Sequence, residues 1–218
     1  MSPAQGLPPA SDGRADQTNV HAAELVDDPV LTAHPLGGAE PWEGPVSFLD
    51  GIQRWEVVAY AGASPVIVAT VAAAVRRRDG KTFSTAAEAR RELVIGRPEA
   101  LAQAGAALDR WETIALHADE APHPVGDAVA ARIQVEQARA ECERKAARDF
   151  RRRDDGWLVV DGALTDHADL AADPKALGVI KSHGSLPFGG PELEAYLRLP
   201  AAHRTSVYAR GSRAKAPA

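Results

Sequence analysis

Cysteine is nearly absent: Cys142 is the only one among 218 residues. A single thiol excludes an internal disulfide framework and any all-cysteine metal site. Nothing in the cysteine usage therefore requires an oxidising compartment. Aromatic residues make up 5% of the chain, and much of the apolar content is alanine, which argues against a large aromatic-rich β-sandwich. Leu, Ile, Val and Phe together number 45, about a fifth of the residues and just enough for a core. Long hydrophobic runs are missing as well. The longest, Val66 to Val75, covers ten residues and then meets Arg76, Arg77 and Arg78, whereas a membrane-spanning helix needs about twenty. The opening MSPAQGLPPASDGRADQTNV lacks the apolar stretch of a signal peptide, so the expected location is the cytoplasm, with no membrane partner. Positive charge is the scarcer sign: 25 Lys and Arg against 30 Asp and Glu give −5. That excludes a histone-like, generally basic binder, though a local basic stripe could still meet phosphate.

Residues 1–20 hold three prolines and little hydrophobic content and read as a disordered N-terminal tail. Residues 21–210 read as one folded domain and 211–218 as a C-terminal tail. Three apolar runs, Pro45–Asp50, Trp55–Tyr60 and Pro65–Val75, are separated by Gly51 and Gly62. They read as consecutive antiparallel strands, with Asp79-Gly80 as a closing tight turn. Ser84 before Thr-Ala-Ala-Glu predicts one helix start and Pro98-Glu99 another. Asp127 to about Arg153 is the longest helix candidate. Gly156–Asp161, Leu177–Lys181 and Thr205–Ala209 read as further short strands. The expected class is mixed α/β, with antiparallel N-terminal strands and flanking helices.

Two strands share an ending: Phe48-Leu49-Asp50-Gly51 and Val159-Val160-Asp161-Gly162. An acid after buried strand residues is costly without a partner or a cation, and the glycine lets a ligand or backbone approach closely. Two such acids at adjacent strand ends suit a hard divalent cation. The plainer reading is a common strand-terminating turn, and spacing alone leaves both open. On a wheel of about 100° per residue, Glu143 falls within the apolar stripe of the long helix, as does Glu136, whereas Glu141 faces solvent. Height separates the first two. Glu143 lies roughly 10–15 Å above the helix end at 1.5 Å per residue, level with Asp161 at roughly 13–16 Å along the next strand. Glu136 overshoots. An ordinary glutamate at the edge of the stripe is the alternative.

The paired Asp-Gly strands, the run from Arg139 to Phe150, GWLVVDGAL from Gly156 and LGVIKSH from Leu177 together resemble the NurA nuclease family, over about residues 45–210. The resemblance implies a ribonuclease H-like fold and metal-dependent DNA cleavage, usually with Mn2+ (or Mg2+). It implies Asp50, Glu143 and Asp161 as metal carboxylates and Lys181 near the scissile phosphate. Read without it, Lys181 is equally a solvent-facing strand-end lysine. The resemblance further implies DNA-end processing in double-strand break repair, a HerA-like hexameric ATPase as partner, and a possible homodimer. Family members usually continue past the segment matching His203–Ser206 into further strands carrying a late arginine–glutamate motif and an active-site histidine. Either this chain is truncated there, or His183 or His203 would have to substitute. The rival expectation is a catalytically impaired remnant acting as a binding or assembly module.

Other signals are weaker. Arg76–Arg78, Arg90-Arg91 and the cluster from Arg144 to Arg153 could touch phosphate, but a solvated face explains each singly. Asp79-Gly80-Lys81-Thr82 ends like a phosphate loop, yet the first glycine required would fall at Val75. His117 and His123 have no helical zinc spacing. Cys142 reads as a small core residue, and no Gly-x-Ser-x-Gly elbow is present.

Overall fold

The structure is a computed structural model describing residues 23–38, 40, 42–117, 121–164, 168–181 and 186–210. The expected tails at 1–20 and 211–218, and His183, lie outside the described residues. The chain divides into two units, one of residues 43–180 and the other drawn from 1–42 and 181–218.

The strands of the second unit, in chain order, are β1 (Ala23–Leu25) and β2 (Ala33–Pro35), with β9 (His203–Thr205) and β10 (Tyr208–Arg210) arriving after helix α4 (Gly190–Leu197). β1 pairs with β10 and β2 with β9, both antiparallel. Phe188 is buried there against Tyr196 and Tyr208, with ring centroids 5.8 Å and 5.0 Å away. The single strand expected at Thr205–Ala209 is thus two short ones. Between them the Ser206 N–H donates to Thr32 O at 3.0 Å and the Val207 N–H to Asp27 Oδ1 at 2.7 Å.

Residues 43–180 are built on three long strands, β3 (Val46–Ala61), β4 (Ser64–Asp79) and β5 (Thr82–Gly96). The sheet continues with β6 (Glu112–Ala115), β7 (Trp157–Asp161) and β8 (Ala176–Val179) in the order β6-β5-β4-β3-β7-β8. β3, β4 and β5 form an antiparallel meander, while β7 lies parallel to β3 and β8 parallel to β7. Helices α1 (Pro98–Ala104), α2 (Pro124–Arg151) and α3 (Ala168–Ala171) complete the unit. The class is mixed α/β, as composition and element order suggested.

Two expectations fail here. Gly51 does not end a strand: Pro45–Asp50 and Trp55–Tyr60 are parts of one strand, with register against β4 unbroken from Val46 to Val57. Nor does Ser84 start a helix. Alanine-rich residues 82–96 are a strand in which Ala87, Ala89, Leu93 and Ile95 are buried while Glu88, Arg90 and Glu92 alternate with them. Pairing with β4 along the whole length outweighs alanine's helix propensity. Asp79-Gly80 is then a hairpin turn between β4 and β5, with Gly80 at φ 58°.

Helix α2 starts where proline and a cap permit. Pro124 stands in its first turn, and the His123 ring accepts the Gly126 N–H at 3.1 Å. Its buried residues Ala131, Val135, Ala138, Cys142, Ala146 and Phe150 recur every three or four positions and pack on one face of the sheet against Leu49, Ile67, Val71, Val75 and Leu158. Burying each large side chain contributes about 1.5–3 kcal/mol, and the alanines let helix and sheet approach closely. The helix start is fastened by a buried pair: Arg97 Nε and Nη2 each donate to Asp127 at 2.8 Å. A smaller cluster of Val66, Val94 and Ala100, with Leu108 and Trp111, forms around α1.

Candidate functional site

Parallel pairing of β3 and β7 aligns Val46 with Trp157 and Leu49 with Val160. The same offset carried one rung further sets Asp50 level with Asp161. Both aspartates are exposed, and neighbouring strands stand about 4.8 Å apart. Both share one face by strand alternation, since Leu49 and Val160 on the preceding rung are both buried in the core under α2.

Glu143 comes from the other side. It is buried on α2, 8% exposed, within the apolar stripe that the helical wheel gave. A methyl added to Gly51 would stand 2.9 Å from its Cγ and Cδ and closer still to Oε1. Only glycine leaves that room on β3. Glu141, by contrast, turns outward to bond Arg91, and Glu136 is exposed, 3.8 Å from Arg132. Arg139, four residues before Glu143, pairs with its carboxylate. That i,i+4 spacing was visible in the sequence and carried no expectation.

Asp50 and Glu143 therefore reach Gly51 from opposite faces of one strand. Carboxylates so placed can meet only around a strand edge, and an edge lies there. Pairing with β7 ends at Leu49–Val160, while β3 runs on to Ala61. At that edge the Asp50 carboxylate folds back and accepts the Gly51 N–H at 2.8 Å. Asp161 closes β7, and the Gly162 N–H beyond it donates to Val179 O at 2.9 Å. Asp50 and Glu143 thus flank one glycine, with Asp161 just past the end of the neighbouring ladder, and the three sets of ligand atoms are not drawn together. Among the described residues the group whose ligand atoms lie within 4.8 Å of one another is Asp27, Asp28 and His34.

That trio, which the sequence reading missed, is already occupied by the protein itself. Asp28 Oδ2 accepts from Ser206 Oγ and lies 2.6 Å from His34 Nε2, while Asp27 accepts from Arg204 at 3.1 Å. The Ser206 hydroxyl, then His34, hold the Asp28 carboxyl below its ordinary pKa. The contacts fasten β9 and β10 to the segment between β1 and β2, which accounts for them without an ion.

Lys181 is exposed two residues after β8 and belongs to the other unit. His203 sits in β9, its Nδ1 2.9 Å from Ala201 O. Much of the basic charge is spent within the chain. Arg77 pairs with Asp154, Arg90 with Glu92, Arg91 with Glu112 and Glu141, and Arg151 with Asp173. Arg144, Lys145, Arg148 and Arg152 line a shallow depression on the outer face of α2, tempered by Glu141 and Asp149. Cys142 is buried, as read from the sequence, and burial pushes its thiol pKa up. No helix among the described residues is long and apolar enough to cross a membrane.

The donor chemistry is consistent: three carboxylates offer only hard oxygens, the set that Mn2+ or Mg2+ takes. No family model matches the sequence, and no curated protein matches it.

Proposed function

We propose that the chain is a metal-dependent deoxyribonuclease with a ribonuclease H-like core, hydrolysing phosphodiester bonds in DNA. The observation that supports the reading is that Asp50 and Asp161 each follow the last paired rung of neighbouring parallel strands, with Glu143, buried on the helix packed over them, against Gly51 beside Asp50. The sheet supports it too. A three-stranded antiparallel meander continued by two parallel strands, with a long helix on one face, is the arrangement expected of that fold.

In this reading Asp50, Glu143 and Asp161 hold Mn2+ or Mg2+. A bound divalent cation supplies an acidified water and neutralises charge on the phosphate. The protein's part is to position. Gly51 keeps the strand bare so that Glu143 can reach the edge. Arg139 holds the Glu143 carboxylate in place, and the parallel ladder ends on the rung just before the two aspartates. DNA is the substrate, end processing in the cytoplasm the setting, and a HerA-like hexameric ATPase the partner that the resemblance brings.

One observation favours a second reading, a binding or assembly module without catalysis: Glu143 is engaged by Arg139 and the three carboxylates stand apart. A cleavage assay on linear duplex and single-stranded DNA with manganese separates the two. Cleavage that disappears in chelator supports the nuclease. DNA left intact at every manganese concentration, with the fold unimpaired, supports the module.

A further inference from the structure

We propose that Arg139 is a built-in counter-ion that competes with the divalent cation for Glu143. Its guanidinium steadies the buried acid while no metal is bound, and it must swing away before the cation loads. The inference rests on the metal reading above and adds to it a control on loading.

The competition is visible atom by atom. A Cβ on Gly51 would meet Glu143 Oε1 first, ahead of Cδ and Cγ. Oε1 is therefore the oxygen turned toward β3, where the Asp50 carboxylate accepts the Gly51 N–H. Arg139 Nη1 donates to that same oxygen. The two partners differ in freedom. The Glu143 side chain is 11% exposed and that of Arg139 34%, so the acid is held in place while the guanidinium keeps a way out to water. Nothing else about the helix asks for this pair. Within a helix an acid four residues before a base is the better order, and here the base comes first. An apolar residue at 143 would fill an apolar stripe without taking a charge out of water. Glu136 and Glu141 pair at exposed positions, where an ion pair contributes little either way. A site whose pair is open about a tenth of the time binds its ligand about tenfold more weakly than the open form does. If Arg139 only propped the carboxylate, its removal would weaken metal binding; as a competitor, its removal tightens it.

Manganese binding, read from the electron paramagnetic resonance of the free aqueous ion in about 0.15 M salt without DNA, tests the sign. Arg139→Met should bind manganese about tenfold more tightly than the wild type. Its metal-free thermal midpoint should be lower, and the gap to the wild type should close as manganese is added. Arg139→Lys keeps the charge but not the planar fork and should bind about threefold more tightly than the wild type; it carries the test if Arg139→Met does not fold by circular dichroism. Arg132→Met removes an equal charge about 16 Å from Glu143 along the helix, past the screening length of about 8 Å, and should change binding less than about twofold. In a Glu143→Gln background Arg139→Met should bring no gain. Binding by the Arg139 variants equal to or weaker than that of the wild type would overturn the proposal and leave the metal reading standing. So would an equal gain from Arg132→Met, or a gain that survives in Glu143→Gln. No saturable manganese binding by wild type or variant would overturn the metal reading and the proposal with it.

Discussion

The Glu143 side chain occupies the space that any side chain at position 51 would need. A Cβ on Gly51 would meet its Cγ and Cδ at 2.9 Å. A buried acid on a helix and a glycine inside a continuous strand explain each other. Neither would be well placed alone: glycine weakens a strand, and an acid in an apolar stripe is costly to bury.

Gly51→Ala should therefore push Glu143 aside. Overpacking of this kind costs about 1–3 kcal/mol, and denaturant midpoints should show it. A second variant, Gly51→Ala with Glu143→Ala, should recover part of that loss, because the colliding side chain is gone. Equal midpoints for Gly51→Ala and the wild type would contradict the packing.

The Arg97–Asp127 pair makes an acid-sensitive joint between the start of α1 and the start of α2. The Arg97 guanidinium, bonding both carboxylate oxygens, holds the Asp127 pKa below its ordinary value. A carboxylate with a depressed folded pKa contributes its full stability above the unfolded value of about 3.9, and loses it as pH falls through the folded value. Asp127→Asn should thus be least stable relative to wild type near neutral pH, with the gap narrowing below about pH 4. Breaking one side of a buried pair costs about 3–5 kcal/mol. A gap unchanged down to about pH 2, measured by urea unfolding, would show that the pair contributes nothing through its charge.

Ser206→Ala should raise the Asp28 pKa toward that of a free aspartate, because the hydroxyl is the main group lowering it, ahead of His34. A carbon-detected NMR titration of the carboxyl reads this directly. An unshifted titration would remove Ser206 from the joint that ties β9 to the β1–β2 segment.

Phe150 is 1% exposed in the last turns of α2. Phe150→Ala should cost about 3–5 kcal/mol, with a lower thermal midpoint and an unchanged far-ultraviolet spectrum at low temperature. A loss under about 1 kcal/mol would place the helix end outside the core.

Much of the parallel half was legible. The apolar runs ending in Asp50 and Asp161, and the wheel that put Glu143 and Cys142 inward with Glu141 outward, depend on local periodicity, and local periodicity is in the sequence. The β5 strand was not legible, because alanine, glutamate and arginine at 86–92 favour a helix. Only the partner strand β4, distant information, makes Ala87 and Ala89 strand residues. Gly51 looked like a strand break for a related reason: what removes the penalty is Glu143, ninety-two positions later (143 − 51). The short strands at 23–25, 33–35 and 112–115 carry too few residues for a period to register.

Whether Asp50, Glu143 and Asp161 hold a catalytic cation is decided by manganese-dependent cleavage of linear DNA by the wild type beside Asp161→Asn. Wild-type cleavage should rise with manganese and be abolished by chelator. Asp161→Asn should remain folded, with cleavage at background and its manganese-induced rise in thermal midpoint lost. Cleavage by Asp161→Asn equal to that of the wild type, or wild-type cleavage that persists in excess chelator, would contradict the metal reading.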